Sequence, residues 1–214
     1  MIIRNSIMVG VLGGMLAASL AAGSTAQTGG DVESALRRAV DQINLKVDKL
    51  GPSSVPSAEQ WQELVQSGWM PKNLAPLKSV TIHSAQGSAR HMIARVSITI
   101  SRAETAAEAL AYLQSVTDHR RGQLAAGLKP FGGWSGKIEM SDYQGCQASR
   151  ALLIDKSFDE NDPPRTEWLS WIQGPVLVEF VVNSRAKEPD FGLDGNAYVV
   201  WKELKAEGFS CPIK

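Results

Sequence analysis

From Ala94 to Ile100 the apolar side chains fall on every second residue, Ala94, Val96, Ile98 and Ile100, with Arg95, Ser97 and Thr99 between them, and Met92 extends the series past Ile93. A period of two describes a strand with one face in a core, whereas on a helix the same residues would scatter around the axis. Val80 and Ile82 begin the pattern upstream, so two strands are expected around a Gln86-Gly87 turn. Further β-rich runs occur at Gly136 to Met140, Cys146 to Lys156, Arg165 to Gln173 and Val176 to Asn183. Gln144-Gly145, Asp159 to Pro164 and Gly174-Pro175 supply turn chemistry between them. Turns this short make successive strands antiparallel.

Helical periodicity frames these strands. Asp31 can cap a helix running to about Leu50, with Val32, Leu36, Val40, Ile43, Val47 and Leu50 on one face, before Gly51-Pro52 ends it. Ser57-Ala58-Glu59-Gln60 has the form of a capping box and opens a short helix to Ser67. Gly68 is its terminator, Pro71 forbids continuation, and residues 71 to 76 are a connector. A long helix follows from Ala103 to Leu128, with Leu110, Leu113, Val116 and Leu124 roughly in line. A last one runs from about Asn196 to Glu207 and ends at Gly208. The order predicts an α+β fold, an antiparallel sheet of about five to six strands packed against helices. The division expected is 1–26 as a signal peptide, 27–76 as an N-terminal helical segment and 77–214 as the α+β domain.

The first thirty residues point to export. Arg4 gives a short positive start, Ile7 to Ala22 is uncharged and mostly apolar, and Ser24-Thr25-Ala26 offers small residues for cleavage. The apolar run is shorter than the roughly 20 residues a membrane-spanning helix needs, and it contains Gly10, Gly13 and Gly14. No stable membrane anchor is expected after cleavage, so the site of action is the periplasm or the exterior. In that oxidising setting the two cysteines, Cys146 and Cys211, are read as one structural disulfide. The 22 Lys and Arg balance the 22 Asp and Glu, which leaves no field to draw nucleic acid. Nucleic acid is therefore not an expected partner.

The residues give no catalytic constellation. Gly133-Trp134-Ser135-Gly136-Lys137 has a serine between glycines, but Lys137 stands where a nucleophile elbow needs its last glycine, and strand-like residues follow the serine. A loop carrying Trp134 is the expectation there. Of the three histidines, only His83 and His91 could meet, across the expected hairpin, and no third metal ligand joins them. Asp190 to Gly195 resembles half of a calcium loop, but Gly192 and Trp201 stand where oxygen ligands belong. Asp155, Asp159, Glu160 and Asp162 read as a solvated loop, and His119-Arg120-Arg121 as a solvated helix face. No metal site, cofactor or catalytic residue is expected. Six tryptophans are present. Trp168 and Trp171 fall on opposite faces of one strand, so both are buried only if both sheet faces are covered.

In outline the chain resembles type IV pilins and pseudopilins. An apolar N-terminus and a helix lead into the connector Leu64-Val65-Gln66-Ser67-Gly68-Trp69-Met70-Pro71, then a sheet and a disulfide reaching nearly to the C-terminus. The resemblance covers layout and no specific motif, since Gly29-Gly30 interrupts the helix those proteins keep continuous. The reading that follows is an exported non-enzymatic protein that binds a protein partner or a small apolar ligand. A subunit of a cell-surface assembly, docking through the helix from Asp31 to Leu50, is the alternative. A hydrolase with an unrecognised site is the second alternative.

Overall fold

A computed structural model describes residues 31–43, 47–50, 54–88, 91–157, 161–185 and 192–211. The expected signal peptide lies outside them. The elements run α1 (Val32–Ile43), β1 (Val47–Leu50), α2 (Ala58–Gln66), β2 (Lys78–Ser88), β3 (His91–Arg102) and α3 (Ala106–Ala125). Then come β4 (Trp134–Tyr143), β5 (Cys146–Asp155), β6 (Pro164–Gln173), β7 (Val176–Arg185) and α4 (Leu193–Ala206). The strands form one antiparallel sheet in the order β1-β2-β3-β7-β6-β5-β4. The fold is α+β as expected, with six long strands and the four-residue β1 at one edge.

The alternation in β3 places Val96, Ile98 and Ile100 beside Val178, Phe180 and Val182 of β7, and α1 and α4 close over this face. The register matters because a slip of one residue would turn every one of these side chains to the other side. On that other face, α3 lies across β4 to β7. There Ile138, Ala151, Leu153 and Trp168 form one apolar cluster, while Ile172 and Leu177 join Trp61 and Leu64 of α2 and the buried side of α3 in another. Both sheet faces are therefore covered, and Trp168 and Trp171 are both buried on opposite sides of β6, at 2% and 0% exposure.

Three expectations change. The first helix stops at Ile43, and residues 47–50 pair with β2 instead of continuing it. Their 4-3 spacing suits a helix, but an edge strand satisfies their backbone groups through the ladder. Gln86-Gly87, expected as the β2–β3 turn, lie inside β2 at a register shift, opposite Ala94 and Met92 of β3. As a result His83 pairs with Ser97 and His91 with Ser88, so the two histidines are not set opposite each other. Finally, Trp134 is the first residue of strand β4 and not part of a loop.

Two local predictions hold in detail. The Gln60 amide N–H donates to Ser57 Oγ at 3.2 Å, and the Ser57 N–H donates back to Gln60 Oε1 at 2.8 Å. Cys146 and Cys211 are joined, with Cα atoms 4.8 Å apart and a sequence separation of 65. Next to the bridge, the fully buried Gln173 accepts from Trp171 Nε1 and donates to the carbonyls of Trp201 and Phe209. The tail after α4 is thus fastened by a covalent bond, an amide and the burial of Phe209.

Candidate functional site

α3 is capped by Thr105, whose hydroxyl accepts from the Glu108 N–H at 3.1 Å. From that start its inward positions are Ala109, Tyr112, Leu113, Val116, Thr117 and Arg120. Arg120 is only 7% exposed, which corrects its reading as part of a solvated basic face. Its charge is met by Glu179 of β7, with Nη1 donating to Oε2 at 2.8 Å, and its Nε donates to the Trp69 carbonyl at 3.3 Å. The guanidinium lies between two indole rings, 5.7 Å from the centroid of Trp69 and 5.2 Å from that of Trp168. Ser170 adds a long contact to the same Glu179 oxygen, 3.4 Å. A largely buried pair of this kind must be closely matched, because losing one partner leaves the other charge without its counter-ion, at about 3–5 kcal/mol.

Beside the pair lies a small chamber of about 10 Å³, walled mostly by Met70, Leu113, Val116, Ile138, Trp168 and Leu177, with Tyr112, Thr117, Ser149, Ser170 and Glu179 among its polar groups. Burial pushes the Tyr112 phenol well above its usual range, so the ring carries its proton. A space this size admits a single water and no organic ligand.

The rest of the basic trio is also tied to structure. A His119 ring nitrogen donates to the Gly68 carbonyl at 2.9 Å, and Arg121 Nε donates to Ile138 O of the edge strand β4 at 3.0 Å. Ser135 is half-buried in β4, its hydroxyl 3.5 Å from the Ile154 carbonyl. The Asp194 carboxylate is held by Arg150, at 3.0 Å for one of its two contacts, while Asp190 lies outside the described residues. Asp155 accepts from Ser157, and Asp159 and Glu160 are likewise outside. Among the described residues no three His, Cys, Asp or Glu side chains gather as a metal site would require, and no helix is long and apolar enough to cross a membrane.

An outward-facing feature that the sequence reading missed lies on α4. Leu193, Ala197, Val200 and Leu204 face the core, and Tyr198 and Lys205 are exposed beside Trp201, which is half-buried against that core with its Nε1 buried. Tyr198 is 43% exposed and stacks on Trp201 with ring centroids 5.6 Å apart and planes 21° from parallel. The Lys205 ammonium sits 4.9 Å over the Trp201 ring. The signal was available as the spacing 198, 201, 205, which marks one helix side adjoining the buried one.

α4 is also firmly held. Arg38 of α1 bonds Glu203 at 2.7 Å and pairs with Glu207, and Gln42 donates to Glu203 at 2.7 Å. Tyr143 donates to the Asp194 carbonyl at 2.9 Å. The apolar side of α1, with Leu36, Ala39 and Val40, is buried within the same core as the sheet.

No protein-family model matches the chain, and no curated protein does. Among solved structures, the extracellular domain of PknH from Mycobacterium tuberculosis aligns over 80% of this chain and 90% of its own, at 10% identity and a TM-score of 0.46. An uncharacterized protein from Mycobacterium smegmatis aligns over 83% of this chain and 98% of its own, at 7% identity and a TM-score of 0.41.

Proposed function

We propose that this chain is an exported, disulfide-closed, non-enzymatic domain that binds a protein partner through the outward side of α4. The observation that carries the proposal is the exposed Tyr198 stacked on the half-buried Trp201, with Lys205 over the indole. An exposed tyrosine backed by a fixed indole suits a protein contact, because its ring offers large area and its hydroxyl a polar handle with little rotamer freedom to lose. The ties from Arg38, Gln42, Gln173 and the disulfide hold that surface in place before binding, which lowers the ordering cost of association. Lys202 and Lys205 beside the rings suit an acidic partner surface. The chamber beside Trp168 has room for one water and does not serve as a pocket for a small apolar ligand. A docking role for α1 is less well supported, because its apolar side is occupied within the molecule. The disulfide supports action in the periplasm or outside the cell.

The test places a photo-crosslinking side chain at position 198 of the full-length protein in exporting cells, with exposed position 72 as control. The expected result is a discrete adduct from 198 alone, abolished by the surface change Lys202→Glu with Lys205→Glu. No adduct from 198, or one indifferent to that charge reversal, would overturn the proposed surface. Turnover by the purified protein in a broad ester and glycoside screen would overturn its non-enzymatic character.

A further inference from the structure

We infer that the chamber between α3 and the sheet is a built site for one water molecule, which joins the Tyr112 hydroxyl to the Glu179 carboxylate. Three observations converge on it. Tyr112 is 4% exposed and lines the chamber, and its hydroxyl is buried with no partner in the protein. A buried hydroxyl without a hydrogen bond costs about 1–3 kcal/mol, so a position that keeps a tyrosine there calls for an acceptor. At about 10 Å³ the chamber is at the threshold for holding one water. Glu179 supplies the second contact, since the bonds from Arg120 and Ser170 both land on Oε2 and Oε1 receives neither. A water in the chamber accepts from Tyr112 and donates to Glu179, which ties α3 to β7 by a second polar link beside the Arg120 pair.

The chemistry of the walls selects water over other occupants. Arg120 already balances the Glu179 charge, so a second cation would find no counter-charge. Most of the chamber wall is apolar, and the Tyr112 hydroxyl and the Glu179 carboxylate are the groups that favour a water there over an apolar atom or gas. The phenol remains a donor across the physiological range because burial holds its proton on.

The change Tyr112→Phe tests it through its sign, and the loss of one oxygen leaves the ring packing intact. If water bridges the hydroxyl, removing it leaves the water and Glu179 short of a partner, and the unfolding equilibrium constant rises roughly tenfold. If the hydroxyl has no partner, phenylalanine is neutral or stabilising, so an unchanged or smaller unfolding constant overturns the inference. A high-resolution crystal structure of the unaltered protein is the independent check. A solvent peak within hydrogen-bond reach of both Tyr112 Oη and Glu179 is expected there, and a dry chamber would overturn the inference.

Discussion

Gly68 takes a φ of +83°, and a Cβ built on it would stand 2.1 Å from the Lys129 carbonyl oxygen. The backbone after α2 can therefore pass so close to the loop after α3 only because the side chain is missing. His119 bonds the Gly68 carbonyl, and the Trp69 ring meets Phe131 edge-on at 5.3 Å, so this glycine sets where the walls of the Arg120 site begin. Gly68→Ala combines left-handed strain with a clash against backbone that no rotamer change relieves. A loss on the order of 2–4 kcal/mol is expected. Urea denaturation of the purified variant measures it. A change of less than about 0.5 kcal/mol, the usual size for an unconstrained surface position, would show that the close approach is not maintained. Residue 68 was readable in sequence as a helix terminator, but its contact was not, because Lys129 lies on the far side of α3. The same distance hid Arg120. In the letters it stands between two other bases, and its partner is 59 positions away. One signal was present: Glu179 is the lone charge within Val176 to Val182, and such a charge needs a counter-ion once the strand is central.

At the scale of elements, α1 and α4 are joined across the outside of the core by Arg38, whose guanidinium hydrogen bond, with Gln42, holds the Glu203 carboxyl below its usual range. A lowered pKa in the folded protein means the unfolded chain takes up the proton first as the solution is acidified. The stabilisation from this clamp is therefore complete above the ordinary carboxylate value of about 4.3 and fades as the pH falls through the folded one. Glu203→Gln keeps the shape and removes the charge. It should cost on the order of 1 kcal/mol at neutral pH, with the gap to the parent protein narrowing in acid. Urea midpoints at both pH values read this out, and a gap that stays constant would exclude the ion pair as its source. The elements themselves were largely legible where a local rule decided them: the Ser57-Gln60 capping box, the alternation in β3, and the glycine turns at 144–145 and 174–175. They were misread where pairing decided them. Residues 47–50 carry a helical spacing but are drawn into the sheet by β2, and the β2–β3 turn is placed by a register that no single residue announces. The outward side of α4 was overlooked for another reason. Tyr198, Trp201 and Lys205 follow a helical spacing, but no local rule leaves Tyr198 exposed while Trp201 packs partly against the core.

At the scale of the molecule, the sheet is covered on both faces and the chain is closed near its end by the disulfide. The bridge links the first residue of β5 to the tail beyond α4, so β6, β7 and α4 all lie within its loop of 65 positions. β7 is the strand that joins the two halves of the sheet, pairing with β3 on one side and β6 on the other. Closing the loop thus limits the freedom of the very segment whose placement completes the core. In the chain-entropy view a cross-link over such a loop contributes about 4 kcal/mol by restricting the unfolded ensemble. For a domain of this size each kcal/mol moves the melting temperature by roughly 2–4 °C. Cys146→Ser with Cys211→Ser should therefore melt roughly 10 °C below the parent. The parent treated with a reductant should fall to about the same temperature, since both lose one constraint. If the double variant melts within about 2 °C of the oxidised protein, Gln173 and Phe209 suffice to hold the tail. The bridge would then have little to do with stability, and the main structural support for an oxidising compartment would weaken with it.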